Sequence, residues 1–561
     1  MTVLRSLDRC SIESLVSHKN IFKAPYTLFA QKLAELQSHP NVMLIIVDDL
    51  RPGIGCYGDI LAKTPNIDAL ARRGIVFNKA YAQQALCGPS RTSFLTSRRP
   101  DTTHIYDVHY YWRNHAGNFT TLPQFFKEHG FHTVNAGKVF HPGISSNHND
   151  DQPYSWSEEP YHPSSQAHKQ DPVCMSKDGY LHTNIYCPVV VEDQPEKTLP
   201  DIQTQKFALD WLHKRSQNPE KEPFFLAIGF HKPHIPLKFP IEYLDMFPID
   251  EVPLVPDNFR PQNVPLVSWN PYNDLRRRYD ISQLNVSFPF GPLNDSYARY
   301  IRQGYYASVT YIDDLIGDLI KKLDKLFPNT IITLIGDHGW SLGEHDEWSK
   351  YSNYEVATRV PFIISLPQVM SAKLHNYGKF KTCNTFTNVS KRKKSKYNSD
   401  SHCIYNGVVE LVDLFPTLAD LAGLPALDRC TDDSKNEMLC TEGVSLAPII
   451  NHSSNYSSKL FINKKIAISQ YPRPGINPTI NPDSDQPKLT ETIIMGYTLR
   501  SQRYRYTLWL GFNHTSFEVN WQDDYGEELY DHKIDPRETF NLAQKNIYLQ
   551  KKRKLKRYLN K

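Results

Sequence analysis

Asn41-Val-Met-Leu-Ile-Ile-Val47, followed at once by Asp48-Asp49, is the stretch from which the fold can be read. A continuous apolar run bounded by polar residues is the pattern of a strand buried on both faces. Downstream, Thr64-Pro65 places a capping residue before a proline at the first helical position. Ile67, Leu70 and Ala71 supply an apolar stripe, and Gly74 falls where a C-terminal capping glycine belongs. The alternation then recurs. A helix near 122–129 leads into a strand at 131–136, one near 203–214 into a strand at 224–229, and one near 305–326 into a strand at 330–335. Repeated helix–strand units predict an α/β fold with a large, mainly parallel sheet flanked by helices.

Residues 371–406, with Lys391-Arg-Lys-Lys394 amid Ser, Asn and Thr, break that pattern and read as a solvated basic loop insertion. Helical patterning over 408–422 closes the large unit, assigned to 41–445. From 446 to 561, short strands at 465–469, 493–499 and 504–510 predict a smaller antiparallel α+β domain, and the basic residues 551–561 read as frayed. Residues 1–40 form a leader of unclear status, because Lys23, Pro25, Gln31 and Lys32 break the run from Ile21 to Leu36. That is not the apolar core of a signal peptide.

The chain has 561 residues, more than one hydrophobic core usually organises. Its net charge is only +4, and the excess is local, which argues against a nucleic-acid binder. No stretch of 18 apolar residues occurs, so an ordinary membrane-spanning helix is excluded. Among nine cysteines, Cys174/Cys187, Cys430/Cys440 and Cys383/Cys403 could pair, leaving Cys10, Cys56 and Cys87. Glycosylation sequons stand at Asn118, Asn285, Asn294, Asn388, Asn451, Asn455 and Asn513. Together they point to a secretory, oxidising route.

Ligands of open parallel sheets bind at the carboxyl ends of the strands. Those ends carry Asp48-Asp49, Lys138 with His141, His231, and Asp337-His338. Asp48, Asp49 and Asp337 are hard oxygen donors of the kind that hold calcium or magnesium. Crowded together they would raise one another's pKa unless a cation compensates them. Taken singly, an aspartate after a strand is more often a helix cap or a turn. Cys87-Gly-Pro-Ser-Arg91-Thr-Ser-Phe-Leu-Thr96 sets a cysteine just before a positive helix terminus, with a guanidinium one turn on. A lone cysteine is ordinarily inert core packing. That judgement changes only because Cys-x-Pro-x-Arg resembles the signal by which sulfatases have their cysteine oxidised.

The chain resembles the type I sulfatases over roughly 41–370 and again over 405–530. The likeness rests on Asn41-Val-Met-Leu-Ile-Ile-Val-Asp-Asp-Leu-Arg-Pro52, Ala82-Gln-Gln-Ala-Leu-Cys-Gly-Pro-Ser-Arg91 and Gly137-Lys-Val-Phe-His-Pro-Gly-Ile-Ser-Ser146. It rests equally on Phe230-His-Lys-Pro-His-Ile-Pro236, Asp337-His-Gly-Trp-Ser-Leu-Gly-Glu-His345 and Tyr471-Pro-Arg-Pro474. Gly88 and Ser97 depart from the family pattern but leave Cys, Pro and Arg intact. The resemblance implies a sulfatase/alkaline-phosphatase-like fold and conversion of Cys87 to Cα-formylglycine by the formylglycine-generating enzyme. It implies Ca2+ held by Asp48, Asp49, Asp337, His338 and the modified Cys87, and Arg91 steadying the formylglycine. It further implies Lys138, His231 and Lys350 on the sulfate oxygens, His231 or Lys350 as the acid for the leaving oxygen, and His141 as the base that restores the aldehyde. Glu344 and His345 are read as supporting residues.

Within the family, the likeness is closest to members that remove the 2-sulfate of terminal iduronate from heparan and dermatan sulfate in the lysosome. The implied partner is therefore a sulfated glycosaminoglycan oligosaccharide. Such a substrate carries a carboxylate, and Arg473 either meets it or ties the two domains together. Both readings stand. The rival functions are a phosphohydrolase of the same superfamily, which would want Ser or Thr with zinc, and a glycan-binding protein that has lost catalysis.

Overall fold

The computed structural model describes residues 39–218, 222–367, 403–431, 435–450 and 466–560. The expectations for the leader, the basic insertion with Lys391–Lys394, Cys10, Cys383, and the sequons at Asn388, Asn451 and Asn455 lie outside the described residues. The first strand, β1 (Asn41–Val47), has every residue but Asn41 buried. Met43, Ile45 and Val47 join one hydrophobic cluster, while Val42, Leu44 and Ile46 join another on the opposite face. This alternation explains the unbroken apolar run: a strand covered on both sides has no face left for polar residues.

The first cluster is completed by helices α1 (Pro65–Arg72), α4 (Pro200–Ser216) and α5 (Asp295–Leu326). The second is completed by α2 (Cys87–Thr96), α3 (Leu122–Glu128) and α6 (Leu414–Leu421). Between these layers lies a sheet of eight strands. With β2 (Gly74–Tyr81), β3 (His132–Gly137), β4 (Phe224–Phe230), β5 (Thr330–Gly336), β6 (Arg359–Val360), β7 (Phe362–Ser365) and β8 (Cys403–Glu410), the order is β6-β2-β7-β5-β1-β4-β3. β8 runs parallel to β2. The neighbours β3, β4, β1 and β5 are all parallel, as expected, whereas β7 is antiparallel to both β2 and β5.

Several boundaries move for physical reasons. Helix α5 starts at Asp295 rather than near 305, because the Asn294 side chain accepts a hydrogen bond from the Tyr297 amide. Gly74 does not cap α1. It opens β2 at a point where a Cβ would meet the Ile364 carbonyl oxygen at 2.4 Å, so the glycine is there for a close strand approach. Residues 408–410 extend β8, and helix α6 begins only at Leu414.

The C-terminal part is a separate four-stranded antiparallel sheet, β9 (Ile466–Arg473), β10 (Ile494–Ser501), β11 (Tyr504–Asn513) and β12 (Glu518–Asp531). Helix α7 (Leu549–Leu559) packs on it through Leu555, so the end expected to fray is ordered by an apolar contact. Strand β9 also holds the segment that leads to α2: the Gln470 amide donates to the Gln83 carbonyl, and the Ser469 hydroxyl to that of Ala82. Disulfides Cys174–Cys187 and Cys430–Cys440 form. Among the described residues, no helix is long and apolar enough to cross a membrane.

Candidate active site

All ten residues of α2 are buried, and its first residue, Cys87, faces the carboxyl end of β1. The Cys87 sulfur lies 3.3 Å from Asp48 Oδ1, 3.3 Å from His338 Nε2 and 3.3 Å from Lys350 Nζ. Gly88 fits its surroundings, since a Cβ there would sit 3.0 Å from Val108 Cγ1 and 3.2 Å from the Asp107 carbonyl oxygen. Burial and then the neighbouring Asp48 charge push the Cys87 thiol up from its ordinary pKa.

Three carboxylates meet beneath the sulfur. Asp49 is held at φ 60°, a strained conformation for a non-glycine residue, and its amide donates to Asp337 Oδ1 at 3.0 Å. The Tyr305 hydroxyl fixes the same turn by donating to the Asp49 carbonyl. Arg91 bridges Asp337 (Nε to Oδ2, 3.0 Å) and Asp48 (Nη2 to Oδ1, 3.1 Å), and its remaining donors go to the carbonyls of Lys138 and Val139. Lys138 donates to Asp48 Oδ2 at 2.5 Å, and Lys350 to Asp49 Oδ1 at 2.8 Å.

These contacts divide the carboxylates. Burial would raise Asp48, but the Lys138 ammonium and Arg91 guanidinium hold it well below the usual range. Burial, with the Asp48 charge working against Lys350, lifts Asp49 to about 6. Burial and the Asp48 charge, against Arg91, lift Asp337 to about 7.

The donor set fits a hard cation. Ligand atoms of Asp48, Cys87, Asp337 and His338 all lie within 4.8 Å of one another. Asp49 Oδ2 is buried without a hydrogen-bond partner. His338 Nδ1 is 3.0 Å from the Gly339 carbonyl, which only accepts, so Nδ1 carries the proton and Nε2 presents a lone pair. That lone pair faces Asp49 Oδ1 at 3.3 Å and Asp337 Oδ2 at 3.6 Å. Burial, together with the Lys350 charge, keeps the imidazole neutral. Acceptors crowded against acceptors call for a positive charge between them.

A cavity of about 170 Å³ opens beside this cluster, lined by Asp48, Lys138, His141, His231 and His234, with Lys169 and Lys238 among its other walls. His231 Nδ1 is buried without a hydrogen-bond partner, and the His231 amide donates to Asp201 Oδ1. His141 Nδ1 lies 3.2 Å from the Ser145 hydroxyl, and burial and Lys138 hold that ring neutral. Every expected site residue therefore stands at or beside one cluster. Sequence reasoning passed over His234, which can share a metal-sized space with Asp48, Asp49 and Cys87. Its signal was available: the second imidazole of His231-Lys-Pro-His234 follows a buried strand end.

Arg473 is elsewhere. Only 1% exposed, it donates to the carbonyls of Val267, Ser268, Tyr351, Pro472 and Ser484 and stacks over Trp509. It ties chain segments together, which overturns its reading as a carboxylate receptor. Glu344 pairs with Arg51 at 2.8 Å and His345 stacks on Tyr354, the supporting roles expected of them.

Comparison with known proteins agrees with this geometry. The chain is 48% identical over 509 residues to iduronate 2-sulfatases of Mus musculus and Homo sapiens, covering 90% of each chain. Its fold superposes on a solved 2-O GAG sulfatase with a TM-score of 0.60 at 21% identity, covering 93% of this chain and 91% of that one. A phosphonate monoester hydrolase of Agrobacterium radiobacter shares the fold at a TM-score of 0.62 and 18% identity, covering 93% and 94%. The Sulfatase family model matches residues 40–424, and together with the 48% identity to these two relatives it shows that the chain belongs to the sulfatase family.

Proposed function

We propose that this enzyme removes the 2-sulfate from terminal iduronate in heparan and dermatan sulfate fragments. The observation that carries the reading is the position of Cys87, at a helix N-terminus and 3.3 Å from Asp48, His338 and Lys350 alike. The mouse and human relatives named iduronate 2-sulfatase supply the substrate class. Conversion of Cys87 to Cα-formylglycine by the formylglycine-generating enzyme would supply a hydrated aldehyde, with two hydroxyls on one carbon. Asp48, Asp49, Asp337 and His338 would hold Ca2+, whose charge acidifies a nearby hydroxyl and attracts sulfate.

The chain's own residues do the rest. Arg91 fixes Asp48 and Asp337 in place, so its role is to set the cluster's geometry. Lys138 and Lys350 face the reacting position with ammonium groups and oppose charge on sulfate oxygens. His231 lines the cleft with its Nδ1 turned to Asp201 Oδ1 at 3.5 Å, whereas Lys350 is paired with Asp49, so the proton for the leaving sugar oxygen is assigned to His231 rather than to Lys350. His141, kept neutral, is suited to accept a proton. With Arg473 committed elsewhere, the uronate carboxylate is assigned to Lys169 and Lys238 among the cleft walls.

A secretory route to the lysosome fits the two disulfides and the exposed sequon asparagines Asn118, Asn285, Asn294 and Asn513. The test pairs peptide mass spectrometry across Cys87 with sulfate release from a 2-sulfated iduronate disaccharide. Thiol-to-aldehyde mass loss with release is expected. An unmodified Cys87 in active enzyme, or preference for an aryl phosphate over an aryl sulfate, overturns the reading.

A further inference from the structure

A second cationic surface lies on the C-terminal sheet. Lys79, Arg359, Arg500, Arg503 and Lys533 line a shallow pocket of about 430 Å³ between β2 and the β10–β11 turn. The carboxylates bonded to these cations are Glu355, on Arg500, and Asp531, on Arg503. Arg359 donates to the Asn78 carbonyl and side chain, and Lys79 to the Gln502 carbonyl. Burial first, and then the adjacent Arg500 charge, pull the Lys79 ammonium down to about 8, with Glu355 in the same pocket working against them.

The pocket does not end at Arg503. The Tyr504 ring carries the Arg503 guanidinium 5.0 Å from its centroid and the Lys551 ammonium at 5.0 Å. Lys551 belongs to α7, whose sequence Leu-Gln-Lys-Lys-Arg-Lys-Leu-Lys-Arg-Tyr-Leu holds six cations. Only Lys552 has a carboxylate partner there, Glu527. Arg553, Lys554 and Arg557 are exposed, with no ion pair among the described residues. The helix docks by Leu555 and Leu559 against the sheet, so these two leucines are already used, while Leu549 and Tyr558 stay exposed beside the cations of its outer face. One aromatic ring thus joins a concave cation pocket to a cationic helix.

We infer that this continuous surface, from the Lys79–Arg359 pocket across Tyr504 to α7, is a docking site for a linear polysulfated glycan. Arginine and lysine heads in a concavity match sulfate groups, and a row of exposed heads one helical turn apart matches a repeating polyanion. A membrane surface is disfavoured, because a helix that lies in a bilayer needs its apolar face free. The choice of a sulfated glycan rests on the proposed substrate. Binding is read without turnover, so a failure to cleave iduronate 2-sulfate would refute that function and leave this site standing.

The experiment titrates the intact enzyme with heparin-derived dodecasaccharides at several salt concentrations. It compares wild type with Lys554→Gln/Arg557→Gln, with Lys79→Gln/Lys533→Gln, and with all four changes together. Each pair should weaken binding about tenfold and flatten its salt dependence, as loss of released counterions does. Turnover of a disaccharide should not change, which controls for folding. The helix pair is fully exposed, so it stays informative if the pocket pair fails to fold. Unchanged affinity in the helix pair, or binding to phosphatidylserine vesicles without binding to the dodecasaccharide, overturns the proposal.

Discussion

Arg473→Lys separates recognition from architecture. The guanidinium sits within 3.4 Å of five main-chain carbonyl oxygens, with Tyr351 nearest at 2.8 Å. A lysine ammonium offers three donors and no planar fork, so at least two of these buried carbonyls lose their partner. Each unpaired buried acceptor costs about 1–3 kcal/mol, which puts the substitution at ~2–6 kcal/mol. An unfolding entropy of about 2.1 cal/mol/K per residue over 561 residues amounts to ~1.2 kcal/mol per kelvin, so the melting midpoint should fall by roughly 2–5 °C. The kinetic arm compares kcat/KM on a 2-sulfated iduronate disaccharide and on an aryl sulfate that lacks the carboxylate. Both should change by the same factor. An unmoved midpoint with a loss confined to the uronate substrate would show that Arg473 reads the carboxylate after all, and would refute the tie.

Cys87→Ala and Cys87→Ser should both fold yet give no sustained turnover, because a single hydroxyl cannot expel sulfate by carbonyl formation; multiple turnovers by either would defeat the formylglycine reading. Asp49→Asn and Asp337→Asn should lose bound calcium and several orders of magnitude of activity, checked by metal analysis beside rate measurements. Calcium should stabilise the protein more at pH 7.5 than at pH 5. Asp49 and Asp337 sit at about 6 and about 7 against 3.8 unfolded. The metal-free folded state therefore holds extra protons and loses stability as pH rises through that window. Equal calcium-induced shifts in melting midpoint at the two pH values would contradict this. Leu555→Ala should undock α7 at a cost of about 2–5 kcal/mol, visible as rapid amide exchange over Leu549–Leu559.

Legibility followed burial. Strand β1 was plain because both faces are covered, leaving no polar interruption. Strand β2 was hidden by Asn78 and Lys79, which interrupt its apolar run and line a polar pocket, and β7 by being only four residues long. Strand β12 begins with Val519 and Trp521 alternating with polar residues, but the run Gln522–Asp524 breaks that period before it is long enough to mark a strand. Helix α7 was masked by its cations, although Leu555 and Leu559 stand one turn apart on its docking face. Among site residues, Asp48, Asp49, Asp337 and His338 follow strands directly, and topology alone brings them together. Lys350 follows no strand of the large sheet, only the two-residue strand Trp348–Ser349 of a small hairpin, so family resemblance alone pointed to it. Arg473 was undecidable in sequence, since a guanidinium in a proline-flanked segment can turn toward a cleft or into packing. The carbonyls of Val267, Ser268 and Tyr351 decide it.

The same contacts explain why the cluster is poised rather than merely crowded. Arg91 and Lys138 both reach Asp48, Arg91 alone reaches Asp337, and Lys350 alone reaches Asp49. Asp48 is thus the carboxylate held most firmly ionised, while burial lifts Asp49 and Asp337 toward the neutral form that a bound cation would reverse. With all three carboxylates ionised, their charge balances that of the three fixed cations. A divalent ion bound there adds positive charge beside Cys87, where an anionic sulfate ester must approach. Neutralising any one of the three cations would tighten the grip on metal and weaken the pull on substrate. That opposition favours keeping Arg91, Lys138 and Lys350 all charged and all buried.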